Sequence, residues 1–102
     1  MMRVSRLFLA AALCGEIAAS HAQDIANGQR LSKRWCSECH TIGSVPGKLQ
    51  QAPSFASIAA KQGVTTGVIA SFLLMPHAKM PNEPLSRHDA ADIAAFIMQM
   101  KN

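Results

Sequence analysis

The sequence has no tyrosine, a single tryptophan and only six acidic residues among 102. It also lacks a long apolar run, a cluster of cations and the cysteines for a disulfide framework. Each shortage removes a class of protein. The apolar stretch at residues 7–13 falls well short of the about 20 residues that a membrane-spanning helix needs, and Glu16 follows it closely. No stable membrane insertion is expected. From residue 23 onward eight Lys and Arg stand against five acids, but they are scattered, so nothing indicates nucleic-acid binding. Of three cysteines, Cys14 lies in the opening segment, which leaves Cys36 and Cys39 too close together to close a useful loop. No alternating apolar–polar run and no internal repeat is present, which argues against strands and solenoids.

The opening segment has the order of a secretory signal. Two arginines without an acid precede the apolar stretch, and Ser20-His21-Ala22 offers small residues at the two positions a signal peptidase reads. Cleavage is expected after Ala22, giving residues 1–22 as signal peptide and 23–102 as a single domain in the periplasm. Eighty residues bury only a modest core, and chains of that size commonly rely on a covalent or cofactor staple.

Four helices are legible, so the fold class is all-α. The first is expected from about Asp24 to Cys39, with Asp24 as N-cap and Ile25, Leu31 and Trp35 on one face, although Asn27-Gly28 also has the form of a turn. The second runs from about Pro53 to Lys61, with Pro53 in its first turn, an apolar face of Phe55, Ile58 and Ala59, and Gly63 beyond its end. The third spans about Thr66 to Leu74, capped by Thr65 or Thr66 and stopped by Pro76, with Val68, Ile69, Phe72 and Leu73 as buried candidates. The fourth begins at Ser86, whose spacing to Asp89 has the form of a capping box, and carries Ala90, Ile93, Ala94, Phe96, Ile97 and Met100 at helical spacing. His88 and Asp92 read as a surface pair along it. The loops at residues 41–52 and 75–85 are rich in Gly, Ser and Pro.

The chemistry concentrates in Cys36-Ser37-Glu38-Cys39-His40, a Cys-x-x-Cys-His run. Cysteines three apart on a helical turn face one side, where they reach the two vinyl groups along one haem edge. The following histidine then offers its imidazole to the iron. A Cys-x-x-Cys pair alone also suits a dithiol redox site or half of a zinc site. The first wants a βαβ setting that is absent, and the second wants two further ligands, which His77 and His88 do not offer at ligand spacing. Covalent haem c, with its iron, is the reading that uses all three residues, and it supplies the missing staple.

From Gly28 and Leu31 through Trp35-Cys36-Ser37-Glu38-Cys39-His40, Ala52-Pro53-Ser54-Phe55, Phe72-Leu73, Pro76-His77-Ala78-Lys79-Met80-Pro81 and Ile93-Ala94-Ala95-Phe96-Ile97, the chain resembles a short class I cytochrome c. The resemblance implies a small four-helix fold around one haem, with His40 and Met80 as the two iron ligands. Met/His coordination raises the reduction potential. Met75 and His77 are the competing ligands. Met75, at the end of an apolar helix, otherwise favours core packing, and Met98 and Met100 read as core filling. The resemblance also gives Pro53 a carbonyl that accepts from the other ring nitrogen of His40, and it gives Gly28 a close crossing with the last helix near Phe96 and Ile93. Leu49, Phe55, Ile58, Val68, Ile69, Phe72 and Leu73 are the expected walls of the haem pocket.

These features point to a one-electron carrier between periplasmic redox proteins, a monomer or a subunit of a redox complex, and not an enzyme in itself. Lys33, Lys48 and Lys79 offer a basic haem edge for docking an acidic partner. Two alternatives stay open: a haem enzyme or gas-binding protein with a vacant sixth site and His77 as its distal base, or a fixed electron-transfer subunit of a dehydrogenase or oxidase.

Overall fold

The computed structural model describes residues 23–75 and 80–101. The expected signal peptide, Cys14, Pro76, His77 and Lys79 lie outside the described residues. Four helices follow in order: α1 (Ile25–Trp35), α2 (Phe55–Ala60), α3 (Thr66–Leu74) and α4 (Arg87–Met98). Among the described residues the only extended pairing is an isolated bridge between Ile42 and Val45, so the all-α expectation holds.

Each helix starts on a side-chain cap. Asp24, Ser54, Thr65 and Ser86 accept from the backbone N–H of Asn27, Ser57, Val68 and Asp89 respectively, each cap contributing about 1 kcal/mol. Three of the four caps match the sequence reading, and α1 runs straight through Asn27-Gly28 without a turn. Two boundaries differ. α1 ends at Trp35, and Cys36–His40 continues as turns, with the N–H groups of both Cys39 and His40 donating to Cys36 O. Pro53 stands before the cap rather than in the first turn of α2. Its carbonyl therefore lies outside the helical hydrogen-bond ladder.

α4 is the central element and packs against each of the other three helices. Ala90, Ile93, Ala94, Phe96 and Ile97 are buried on it, and they meet Phe55 and Ala59 of α2 and Ile69 of α3. Phe96 packs edge-on to Phe55, with ring centroids 6.2 Å apart. Leu31, Ile58, Leu73, Met98 and Met100 are partly buried around this cluster. Trp35 is not part of it; the Arg34 guanidinium lies over its ring at 4.7 Å.

The crossing of α1 and α4 depends on Gly28. A Cβ there would stand 2.0 Å from Asp92 O and 3.0 Å from Phe96 Cβ, so the expected approach to Phe96 is present and the tightest contact is the Asp92 backbone. Asp92 itself corrects the sequence reading. It is 2% exposed, because its carboxylate accepts from Asp24 N (2.8 Å) and Asn27 Nδ2 (2.8 Å) on α1. His88, largely exposed, stands 3.8 Å away and is a peripheral neighbour. Two donors on another helix are what offset the burial of that carboxylate. Ser32, on the same face of α1, is also buried, and its hydroxyl has no hydrogen-bond partner among the described residues.

Candidate cofactor site

α2, α3, α4 and the loop after α1 enclose a cavity of about 600 Å³, within the range typical of small-molecule and cofactor sites. Cys36, Cys39, His40, Pro53 and Met80 all line it. So do the seven side chains expected as pocket walls, Leu49, Phe55, Ile58, Val68, Ile69, Phe72 and Leu73. The sequence spreads these residues from position 36 to 80; the fold gathers them on one concave surface.

The walls differ in burial, and that difference is informative. Phe55 and Ile69 are buried, but Leu49, Val68 and Phe72 are 45–52% exposed, contrary to the expectation that Val68 and Phe72 are buried. The physical reason is the cavity, which these side chains line. α3 is consequently apolar on two sides, with Ile69 and Leu73 towards the core and Val68 and Phe72 towards the cavity. An apolar helix with half its surface uncovered calls for an apolar partner. A large, flat, mostly apolar group fits this chemistry.

The donor set fits it as well. His40 Nδ1 lies 2.6 Å from Pro53 O, so Nδ1 carries the proton that the carbonyl accepts. That tautomer leaves Nε2 with its lone pair. The His40 ring also stands 5.7 Å from the Phe55 ring, in a tilted arrangement. Burial pushes the Cys36 thiol up from 9.0 to about 11, and the negative charge of Glu83 and Cys39 adds to the shift. Reactive Cys-x-x-Cys pairs need the opposite, a depressed thiol. An uncharged thioether sulfur carries no such penalty at this position. Among the described residues no cluster of His, Cys, Asp and Glu is arranged to hold a bare metal ion.

One expectation on a neighbouring residue is corrected. Met75 does not pack in the core: it is 53% exposed and stands outside the cavity lining. Of the three lysines expected along the haem edge, Lys79 lies outside the described residues. Lys33 lines a separate groove with Gln29, Ile42 and Val45, and Lys48 is paired with Glu38 at 3.2 Å. Among the described residues Lys61, which the sequence reading passed over, is the cation that lines the cavity. Its position just past the second helix was the available signal.

Residues 23–97 match the family model described as "Cytochrome C oxidase, cbb3-type, subunit III". The chain belongs to this c-type cytochrome family. It is also 39% identical over 94 residues to cytochrome c-552 of Bradyrhizobium diazoefficiens, covering 91% of this chain and 90% of that protein. No solved structure gives a match. As a member of the family, this cytochrome carries covalently bound haem c with its iron and serves electron transport rather than catalysis. No helix among the described residues is long and apolar enough to cross a membrane.

Proposed function

We propose that this protein is a monohaem cytochrome of the periplasm that passes single electrons between redox proteins through a His/Met-ligated haem c. The observation that carries this reading is the single cavity lined by Cys36, Cys39, His40, Pro53 and Met80 amid apolar walls. Bound haem supplies an iron that accepts and releases one electron. The chain's own residues do the rest. Cys36 and Cys39 fix the group by thioethers. His40 is held in its Nδ1–H tautomer by Pro53 and presents Nε2 as a ligand. Met80 offers a soft, neutral sulfur from the loop between α3 and α4. The walls from Leu49, Val68 and Phe72 exclude water, which disfavours the more highly charged oxidised state. With His40 and Met80 as its ligands, a bound iron would offer no position to a substrate.

Residues 1–22 are cleaved as the export signal and residues 23–102 form the working domain. A redox partner meets the cavity rim near Lys61. The matched family is named as an oxidase subunit, and the relative as a cytochrome c-552. The first name favours a fixed seat in an oxidase complex as a second reading; the chemistry at the haem is the same in both.

The test uses the exported protein. Mass spectrometry should find haem on Cys36 and Cys39, with Gln23 as the first residue. The weak far-red charge-transfer band of Met ligation should be present in the ferric protein, absent in Met80→Ala and retained in Met75→Ala. A wild-type protein without that band that takes up carbon monoxide rapidly would instead have an open sixth site.

A further inference from the structure

Residues 47–55 fold back along the attachment turn and bracket His40. Lys48 N donates to Glu38 O (3.0 Å) and Leu49 N to Cys39 O (3.4 Å) on one side of it, and Phe55 N donates to Thr41 O (3.0 Å) on the other. Pro53 O, 2.6 Å from His40 Nδ1, hangs between these two attachments. Two residues make the fold-back possible. The Thr41 hydroxyl accepts from Gly47 N at 3.1 Å, which pins the start of the returning segment to the residue that follows His40. Gly47 then presses on the peptide joining Cys39 to His40: a Cβ at this position would stand 2.3 Å from Cys39 O and 2.4 Å from His40 C. Its φ is not positive, so close approach, and not backbone conformation, is what requires glycine here.

We propose that Thr41 and Gly47 are positioning residues for the His40 imidazole, holding Pro53 O against Nδ1 and thereby setting the ligand strength of Nε2. The proposal rests on His40 being an iron ligand. Its physical content is a chain of constraints. Loss of the Thr41 hydroxyl leaves Gly47 N without its acceptor, and the returning segment moves off the turn. The Pro53–His40 bond then lengthens, and the imidazole becomes a weaker base. A weaker base stabilises the oxidised iron less, so the reduction potential rises.

The test compares Thr41→Val, Thr41→Ser, Gly47→Ala and wild-type holoprotein by exchange of the His40 Nδ1 proton in NMR spectra and by midpoint potential. Asp92→Asn, which weakens the distant contact between α1 and α4, is the control for a general loss of stability. In Thr41→Val the Nδ1 proton should exchange about tenfold faster, the factor expected from losing one hydrogen bond of ordinary net strength, and the potential should move upward. Gly47→Ala should move both in the same direction. Thr41→Ser keeps the hydroxyl and should stay within about twofold of wild type in exchange, at unchanged potential. If Thr41→Val does not accumulate as holoprotein, Thr41→Ala takes its place. Unchanged exchange and potential in both Thr41→Val and Gly47→Ala overturn the proposal. So does a serine variant that shifts as far as valine, or an Asp92→Asn protein that shifts equally. A wild type without a haem-ligand signature on His40 brings down the ligation reading as well, whereas an intact signature with insensitive variants removes the positioning role alone.

Discussion

Replacing Gly28 by alanine sets two effects of opposite sign against each other. In a helix interior alanine is favoured over glycine by about 1 kcal/mol, which acts to stabilise α1. The new Cβ would also lie 2.0 Å from Asp92 O and 2.6 Å from Asp92 C, both backbone atoms that cannot rotate away. Reaching ordinary contact requires α1 and α4 to separate by roughly 1.4 Å. That separation lengthens the bonds from Asp24 N and Asn27 Nδ2 to the Asp92 carboxylate, both 2.8 Å in the native crossing. Hydrogen bonds to a charged group contribute about 1.5–3 kcal/mol each, and overpacking typically costs a further 1–3 kcal/mol. The clash outweighs the helix propensity, so Gly28→Ala should destabilise the holoprotein by about 3–5 kcal/mol, read as a lower guanidinium midpoint at unchanged slope. Gly67 provides the matched control. It also lies in a helix, but its Cβ would meet only Thr65 Oγ1, at 3.9 Å, so Gly67→Ala should stabilise by about 0.5–1 kcal/mol. A Gly28→Ala protein as stable as Gly67→Ala would refute the close crossing and with it the reading of this interface.

Other outcomes follow from the same contacts. Asp92→Asn exchanges an acceptor oxygen for a donor facing Asp24 N or Asn27 Nδ2 and should cost about 2–3 kcal/mol in denaturant melts. Ser32→Ala removes a buried hydroxyl that has no partner among the described residues and places a better helix former in α1; a gain of about 1–2 kcal/mol is expected by the same measurement. Apoprotein of the Cys36→Ala, Cys39→Ala double variant should show much less helix by circular dichroism and no cooperative melt, because the cavity walls lose what they pack against. A compact, cooperative apoprotein would contradict this. Lys61→Glu should slow reaction with an acidic redox partner at low ionic strength and leave the rate at high salt nearly unchanged.

Local signals carried far in this sequence. Ser, Thr and Asp at helix starts were legible because capping is decided within three residues, and α3 lies where its apolar run and flanking proline put it. The attachment motif was legible for the same reason, being five consecutive residues. The largest miss involves partners distant in sequence. Asp92 sits four residues after His88 on a helix and looks like half of a surface pair; its real partners lie 65 and 68 residues earlier. Thr41 and Gly47 fall in a loop of small and polar residues, where nothing marks a clamp. The Pro53 carbonyl was legible through the family resemblance, and the cap at Ser54 supplies the local reason that it stands free of the α2 ladder.

α3 shows why fold and cofactor cannot be separated in this protein. Its apolar residues exceed what α4 covers: Ile69 and Leu73 pack against the core, and Val68 and Phe72 line the cavity and are about half exposed. Fully burying a side chain of that size contributes about 1.5–3 kcal/mol; half exposed, each of these forgoes about half of that, a sizeable share of the 5–15 kcal/mol that ordinarily separates folded from unfolded chains. A group seated in the cavity recovers that burial while it keeps water from the iron. The same surface therefore stabilises the fold and sets the electrostatics of electron transfer. Substitutions that shrink Val68 or Phe72 should accordingly lower stability and reduction potential together, whereas changes at the crossing of α1 and α4 should affect stability alone. Measuring both quantities across the two sets of variants separates a wall that the cofactor completes from a surface that merely lies beside it.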